Sequence, residues 1–184
     1  MRSNKFIKMK LVFSNKKKLY LLDVSSVFYD LELLHDFSLL LFVKEYYNYQ
    51  FSQGFWYRWG RRLKDEHKLQ VIKIIKESPL TLELILNIIF ISSGAIWIII
   101  QAIEKISTWK LTREKLKLEV EKLRKEVNLL SYEEERAKIE IENKLREREA
   151  LKTFEALLRR LKNNPIKIED IELTLEEFDD EDGE

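Results

Sequence analysis

Residues 84 to 103, LILNIIFISSGAIWIIIQAI, carry no charged side chain between Glu83 and Glu104, and no other feature restricts the fold as strongly. Rising ~1.5 Å per residue, a helix of that length spans about one hydrocarbon thickness. The leading expectation is therefore a single membrane-spanning or membrane-inserting helix. A buried core helix in a soluble fold is the competing reading, since the stretch is apolar on every side of a helix. The remaining chain offers little apolar surface to cover such a helix all round, which favours the membrane. Trp97 and Trp109 would then be interface anchors. Ser92, Ser93 and Gly94 would form a small-residue step for close approach of another helix. Both flanks are basic, so orientation stays open.

The formal net charge of +1 conceals segregation. Residues 1 to 76 are rich in Lys and Arg, whereas residues 165 to 184 are acidic apart from Lys167. These oppositely charged ends could pair with each other or with separate partners. The acidic end reads either as a solvated tail or as a docking strip, one that would mask the basic head until released. The chain has no cysteine and only His35 and His67, which excludes disulfides and thiolate chemistry and leaves a zinc site short of ligands. No cofactor and no metal are expected. The first residues lack the apolar core of a secretory leader. The expected location is the cytoplasmic membrane, or the cytoplasm in a complex before recruitment to it.

Along the chain, KLVFS and KLYLLDV flank Asn15, Lys16 and Lys17 as a hairpin would. A helix capped at Ser25 or Ser26 should follow, with Val27, Phe28, Leu31, Leu34 and Leu39 at helical spacing to about Phe42. FWYRW and LQVIKIIK have strand composition. The fold class is thus α+β, with a basic ββαββ head over residues 1–78. Pro79 suits the first turn of the next helix, so 79–106 reads as the apolar helix. Residues 107–164 read as a charged helix or coiled coil with its seam at Leu116, Val120, Leu123, Val127 and Leu130. That seam and the small-residue step would support a homo-oligomer. A weaker register beyond Leu130 leaves room for a bend, and Leu151, Phe154, Leu158 and Leu161 form a second stripe. Residues 165–184 form the acidic tail, of which IKIEDIELTLEEF could become a strand.

The residues most suggestive of chemistry run from Tyr46 to Arg62, where aromatics alternate with arginines. Such a mixture can stack on bases and pair with phosphates. It suits lipid head groups as well, and alternate aromatics of a strand could simply build the small core. The neighbouring apolar stretch favours lipid over direct nucleic-acid binding. Lys16, Lys17 and Lys18 would add attraction for an anionic membrane, or form an ordinary solvated turn. His35 beside Asp36, and Asp65-Glu66-His67, are the nearest approach to catalytic groups. Sequence neighbours on a helix or turn usually point apart, so no catalytic residue is expected. Gly54, Gly60, Gly94 and Gly183 match no phosphate-binding spacing, and the chain is not read as an enzyme.

FWYRWGRRL, KESPLTLELI, AIWIIIQAIEKI and KLTREKLKLEVEKL together resemble small membrane effectors of prokaryotic antiviral systems, including those encoded beside short prokaryotic Argonautes. The resemblance covers roughly residues 50 to 125. It implies a toxin-like effector of abortive infection, recruited by a nucleic-acid-sensing Argonaute-type complex to bind anionic phospholipid and permeabilise the membrane. Its basic lipid-binding pocket would carry over to Arg58, Arg61, Arg62 and Lys64. The alternative is a non-catalytic adaptor that joins a larger complex through its coiled coil and acidic tail.

Overall fold

The computed structural model describes residues 4–14, 20–75, 79–87 and 148–178, together with residues 95, 96, 98, 99, 102, 118 and 122. Its elements are β1 (Asn4–Phe13), α1 (Leu21–Phe42), β2 (Gln70–Ile75), β3 (Thr81–Asn87), α2 (Arg148–Asn163) and β4 (Ile168–Phe178). The strands form one antiparallel sheet in the order β2-β3-β1-β4. β1 and β4, the first and last strands among the described residues, lie side by side.

The apolar stretch is not one helix. Residues 84 to 87 belong to β3, an inner strand paired with β1 on one side and β2 on the other. Leu82, Leu84 and Leu86 are buried, while Glu83, Ile85 and Asn87 alternate with them and are half-buried, the period of two that a sheet imposes. Beyond Asn87, the described Ala95, Ile96, Ile98, Ile99 and Ala102 are all buried in the core. Hydropathy averaged over the stretch merged a strand with the apolar residues that follow it. Among the described residues, no helix is long and apolar enough to cross a membrane. The membrane-spanning expectation is thereby corrected, and the core reading fits the described residues. Trp97, Trp109, Ser92, Ser93 and Gly94 lie outside the described residues, as do the coiled-coil positions Leu116, Val120, Leu123, Val127 and Leu130.

The ββαββ order is corrected too. Residues 21 to 24, expected in a second hairpin strand, form the first turn of α1, with Tyr20 at its cap position and the Ser25 hydroxyl donating to the Leu22 carbonyl. Pro79 precedes a strand rather than a helix. FWYRW lies in two short 3-10 turns, Gln53–Trp56 and Arg58–Gly60. Ser52 accepts a hydrogen bond from the Gly54 amide, and a Cβ on Gly60 would lie 1.9 Å from the Gly54 carbonyl oxygen. Only glycine permits that close approach, and it folds the segment into a loop where an extended strand was expected.

Residues 168 to 178, the acidic segment read as a tail, supply the strand that pairs with β1 throughout. Lys10 pairs with Glu172 at 3.1 Å and Lys8 with Glu176. A row of alternating charge crosses all four strands in register: Lys73, Glu83, Lys10, Glu172. The segregated ends of the sequence thus meet in the sheet.

The opposite face buries Ile7, Met9, Leu11 and Phe13 of β1, with Leu82, Leu84 and Leu86 of β3 and Ile171 and Leu173 of β4. Beneath it lies α1, whose residues from Leu33 to Val43 are all buried. A helix apolar on every side is stable only when covered on every side. The sheet covers one side, and Phe154, Leu157 and Leu161 of α2 share the core. Phe37 stacks on Phe154 at 5.6 Å and also meets Phe51 at 4.9 Å and Phe55 at 6.0 Å, pinning the 44–69 connection to α1. α2 ends at Asn163 as expected, and the Asn164 side chain accepts from the Ile166 amide to turn the chain into β4. In α2 Leu151 is exposed, and the buried stripe runs instead through Ala150, Thr153, Phe154, Leu157 and Leu161.

Candidate functional site: an arginine-lined cleft

The helical spacing of Ser25, Phe28, Tyr29, Glu32 and Asp36 sets these side chains along one face of α1. That face forms one wall of a cleft of about 880 Å³. Leu82 and Leu84 of β3 and Val71 of β2 line its floor, and Arg58, Arg61, Arg62, Leu63, Lys68 and Leu69 line the far side. An apolar floor, a few convergent polar groups and a volume within the usual ~300–1,000 Å³ are the ordinary features of a small-molecule site.

Arg61 organises the cleft, although its side chain is only 1% exposed. Its Nε donates to Asp36 Oδ2 at 2.7 Å and its Nη1 to the Phe55 carbonyl at 2.6 Å. The guanidinium lies 5.8 Å from the centre of the Tyr29 ring, and Tyr29 donates its hydroxyl proton to the Trp56 carbonyl. Burial is the largest influence on Arg61 and favours the neutral form, but the bond and charge of Asp36, helped by Tyr29, outweigh it and raise its pKa above the ordinary arginine value. A buried ion pair is retained when its remaining protons find acceptors. One does not: among the described residues Nη2 is buried without a hydrogen-bond partner, its ion-pair contact with Glu32 Oε1 being 3.6 Å long.

Glu32 turns instead to Arg58, whose Nη2 donates to Glu32 Oε2 at 2.9 Å and whose side chain is 79% exposed. That bond raises the Arg58 pKa. Arg62 is exposed and, among the described residues, forms no ion pair. On either side of Arg58, Tyr57 and Trp59 are 57% and 71% exposed and stack on each other at 5.7 Å. Large exposed aromatics in contact are unusual on a surface without a binding role.

Of the four residues the resemblance assigned to lipid, Arg58, Arg61 and Arg62 meet in this cleft. Lys64 does not line it: its Nζ is bonded to Glu45 at 3.0 Å, which raises its pKa. Lys16, Lys17 and Lys18 lie outside the described residues. Sequence reasoning missed Glu32 and Lys68 and named Asp36 without its partner Arg61, because an acid on an apolar helix carries no signal of a partner twenty or more residues away. It also took His35 and Asp36 to point apart, whereas His35 Nδ1 lies 3.1 Å from Asp36 Oδ1. His67 Nδ1 lies 2.7 Å from the Tyr46 hydroxyl, which accepts a hydrogen bond from the Lys64 amide. Both histidines are buried, and the contacts of His67 and Tyr46 brace the 44–69 connection. Among the described residues, no cluster of His, Asp or Glu could hold a metal ion.

No family model matches the chain, and no curated protein or solved structure matches it.

Proposed function

We propose that the protein is a non-catalytic binding protein that docks on anionic phospholipid through the mouth of this cleft. The observation that carries the reading is the exposed, stacked Tyr57 and Trp59 around Arg58, beside Arg62, which forms no ion pair among the described residues. Aromatic rings favour the head-group level of a bilayer, and guanidinium groups pair with phosphate in a fork geometry. Recruitment by an Argonaute-type sensor in an antiviral effector is carried by the resemblance alone, and a spanning helix is no part of the proposal. In the adaptor alternative, residues 168 to 178 of the acidic segment are paired in the sheet, while residues 179 to 184 lie outside the described residues.

Co-sedimentation with phosphatidylglycerol vesicles, compared with phosphatidylcholine vesicles, tests the reading. Reversing Arg58 and Arg62 together to Glu should weaken binding to the anionic vesicles by at least about tenfold, since each basic residue near such a surface contributes ~1 kcal/mol. Arg61 is left intact because its reversal would bury an unpaired charge beside Asp36. Equal binding to both vesicle types, or an unaffected double variant, would reject surface docking.

A further inference from the structure

Glu32 stands between two arginines with one bond made and one unmade. Its Oε2 is held by exposed Arg58 at 2.9 Å, and its Oε1 stops 3.6 Å short of the Arg61 nitrogen that has no hydrogen-bond partner. Leaving a buried charged donor unsatisfied is costly, and closing that gap would recover the cost. The Arg58 bond holds Glu32 on the other side.

Resting on the reading of this cleft as a ligand site, we infer that it takes a single-tailed anion and that the head group takes Arg58 from Glu32. The ligand class is a phosphate or carboxylate on one apolar chain. The chain lies along Leu82, Leu84 and Val71, and the head pairs with Arg58 and Arg62. Glu32, released, moves to Arg61 Nη2 and completes the hydrogen bonding of the buried guanidinium. Asp36 stays on Arg61 Nε throughout, so the buried charge is never unpaired. Because the displaced carboxylate has a waiting donor, the anion displaces an ion pair without orphaning either partner. Without that donor the exchange would leave Glu32 competing with the ligand for Arg58.

The test titrates the full chain with dodecyl phosphate below its micelle concentration, with dodecanol and inorganic phosphate as controls. Calorimetry gives the affinity, and the side-chain ¹⁵N–¹H resonances of Arg58 and Arg61 report the exchange. Dodecyl phosphate should bind at least about tenfold more tightly than either control, each tenfold being ~1.4 kcal/mol. The Arg61 Nη resonances should sharpen and shift as the new bond forms. In Glu32→Ala, whose side chain is partly exposed, the ligand should still bind while the Arg61 response disappears. Dodecanol binding as tightly as dodecyl phosphate would overturn the head-group assignment, and inorganic phosphate doing so would overturn the tail. Unchanged Arg61 resonances in the native chain during saturation would overturn the exchange. Vesicle binding without dodecyl phosphate binding would reject this inference and leave surface docking intact. The opposite result would reject surface docking alone.

Discussion

The two sides of the sheet have opposite characters. Along the β1–β4 seam, the strands pair from Asn4 to Phe13 with one register shift, at the end between Val12 and Phe13, apolar residues alternate inward and lysines meet glutamates on the outer face. On the far side, β2 pairs with β3 through a register shift between Val71 and Lys73, and Val71, Ile72 and Ile74 are exposed. The cleft opens there, between the Ser25-to-Asp36 part of α1 and the strands β2 and β3. One side therefore holds the fold together, and the other keeps apolar surface and arginines available. Bulges and acidic side chains are common means of protecting an edge from stray pairing. Here both edge strands pair through a register shift, in the middle of β2 and near the start of β4, and β4 adds the acids.

The largest way to break this contrast is to end the chain at residue 167. β1 would lose an entire partner strand, and Ile7, Met9 and Leu11 would lose Ile171 and Leu173 as core neighbours. Loss of the cooperative thermal transition by circular dichroism is expected. A truncated chain that still melts cooperatively, with the cleft's binding intact, would show that β4 is an accessory strand. Because Lys10 pairs with Glu172 inside the sheet, this truncation tests stability and not the unmasking of a basic head.

Arg61→Ala comes next. It leaves the Asp36 carboxylate, itself 9% exposed, facing His35 without its main cation, and it frees the Phe55 carbonyl. Breaking a buried pair from one side typically costs ~3–5 kcal/mol. Urea melts should show a loss of that size, with Arg61→Lys in between because a lysine cannot bond Asp36 and Phe55 together. A loss under about 1 kcal/mol would mean that water replaces the guanidinium, and that the cleft is wetter than its packing indicates.

These two sites show what could be read from the sequence. The helix through Phe42, the strand QVIKII, the strand of the acidic segment and the stop at Asn163 each rest on a local period or a local breaker, and each is where the pattern puts it. LELILN was lost because its strand period ran directly into more apolar chain, and composition alone cannot separate a buried strand from a helix. FWYRW has strand composition, yet the approach of Gly60 to Gly54 overrides it. For the cleft, the three arginines were legible as a basic aromatic run. Their division of labour was not: Arg61 is buried and Arg58 exposed because of Asp36 and Glu32, placed one turn apart on a distant helix.

The smallest effect should come from the charge row, and it bears most directly on why the two sides differ. Lys10 lies between Glu83 and Glu172, whereas Lys73, at the open edge, faces Glu83 alone. Lys10→Glu would align three acids across β3, β1 and β4, and like charges directly opposite on a sheet are destabilising. Exposed pairs of this kind contribute only ~0.2–1 kcal/mol, so the expected shift in the urea midpoint is modest and should shrink in high salt. Lys73→Glu should cost less, having one acidic neighbour rather than two. Combining Lys10→Glu with Glu172→Lys should recover part of the loss, because one cross-strand pair is restored while Glu83 still faces an acid. If Lys73→Glu proved the more damaging, the row would be anchored at the cleft side, and the seam would owe its stability to backbone pairing and apolar burial without help from its charges.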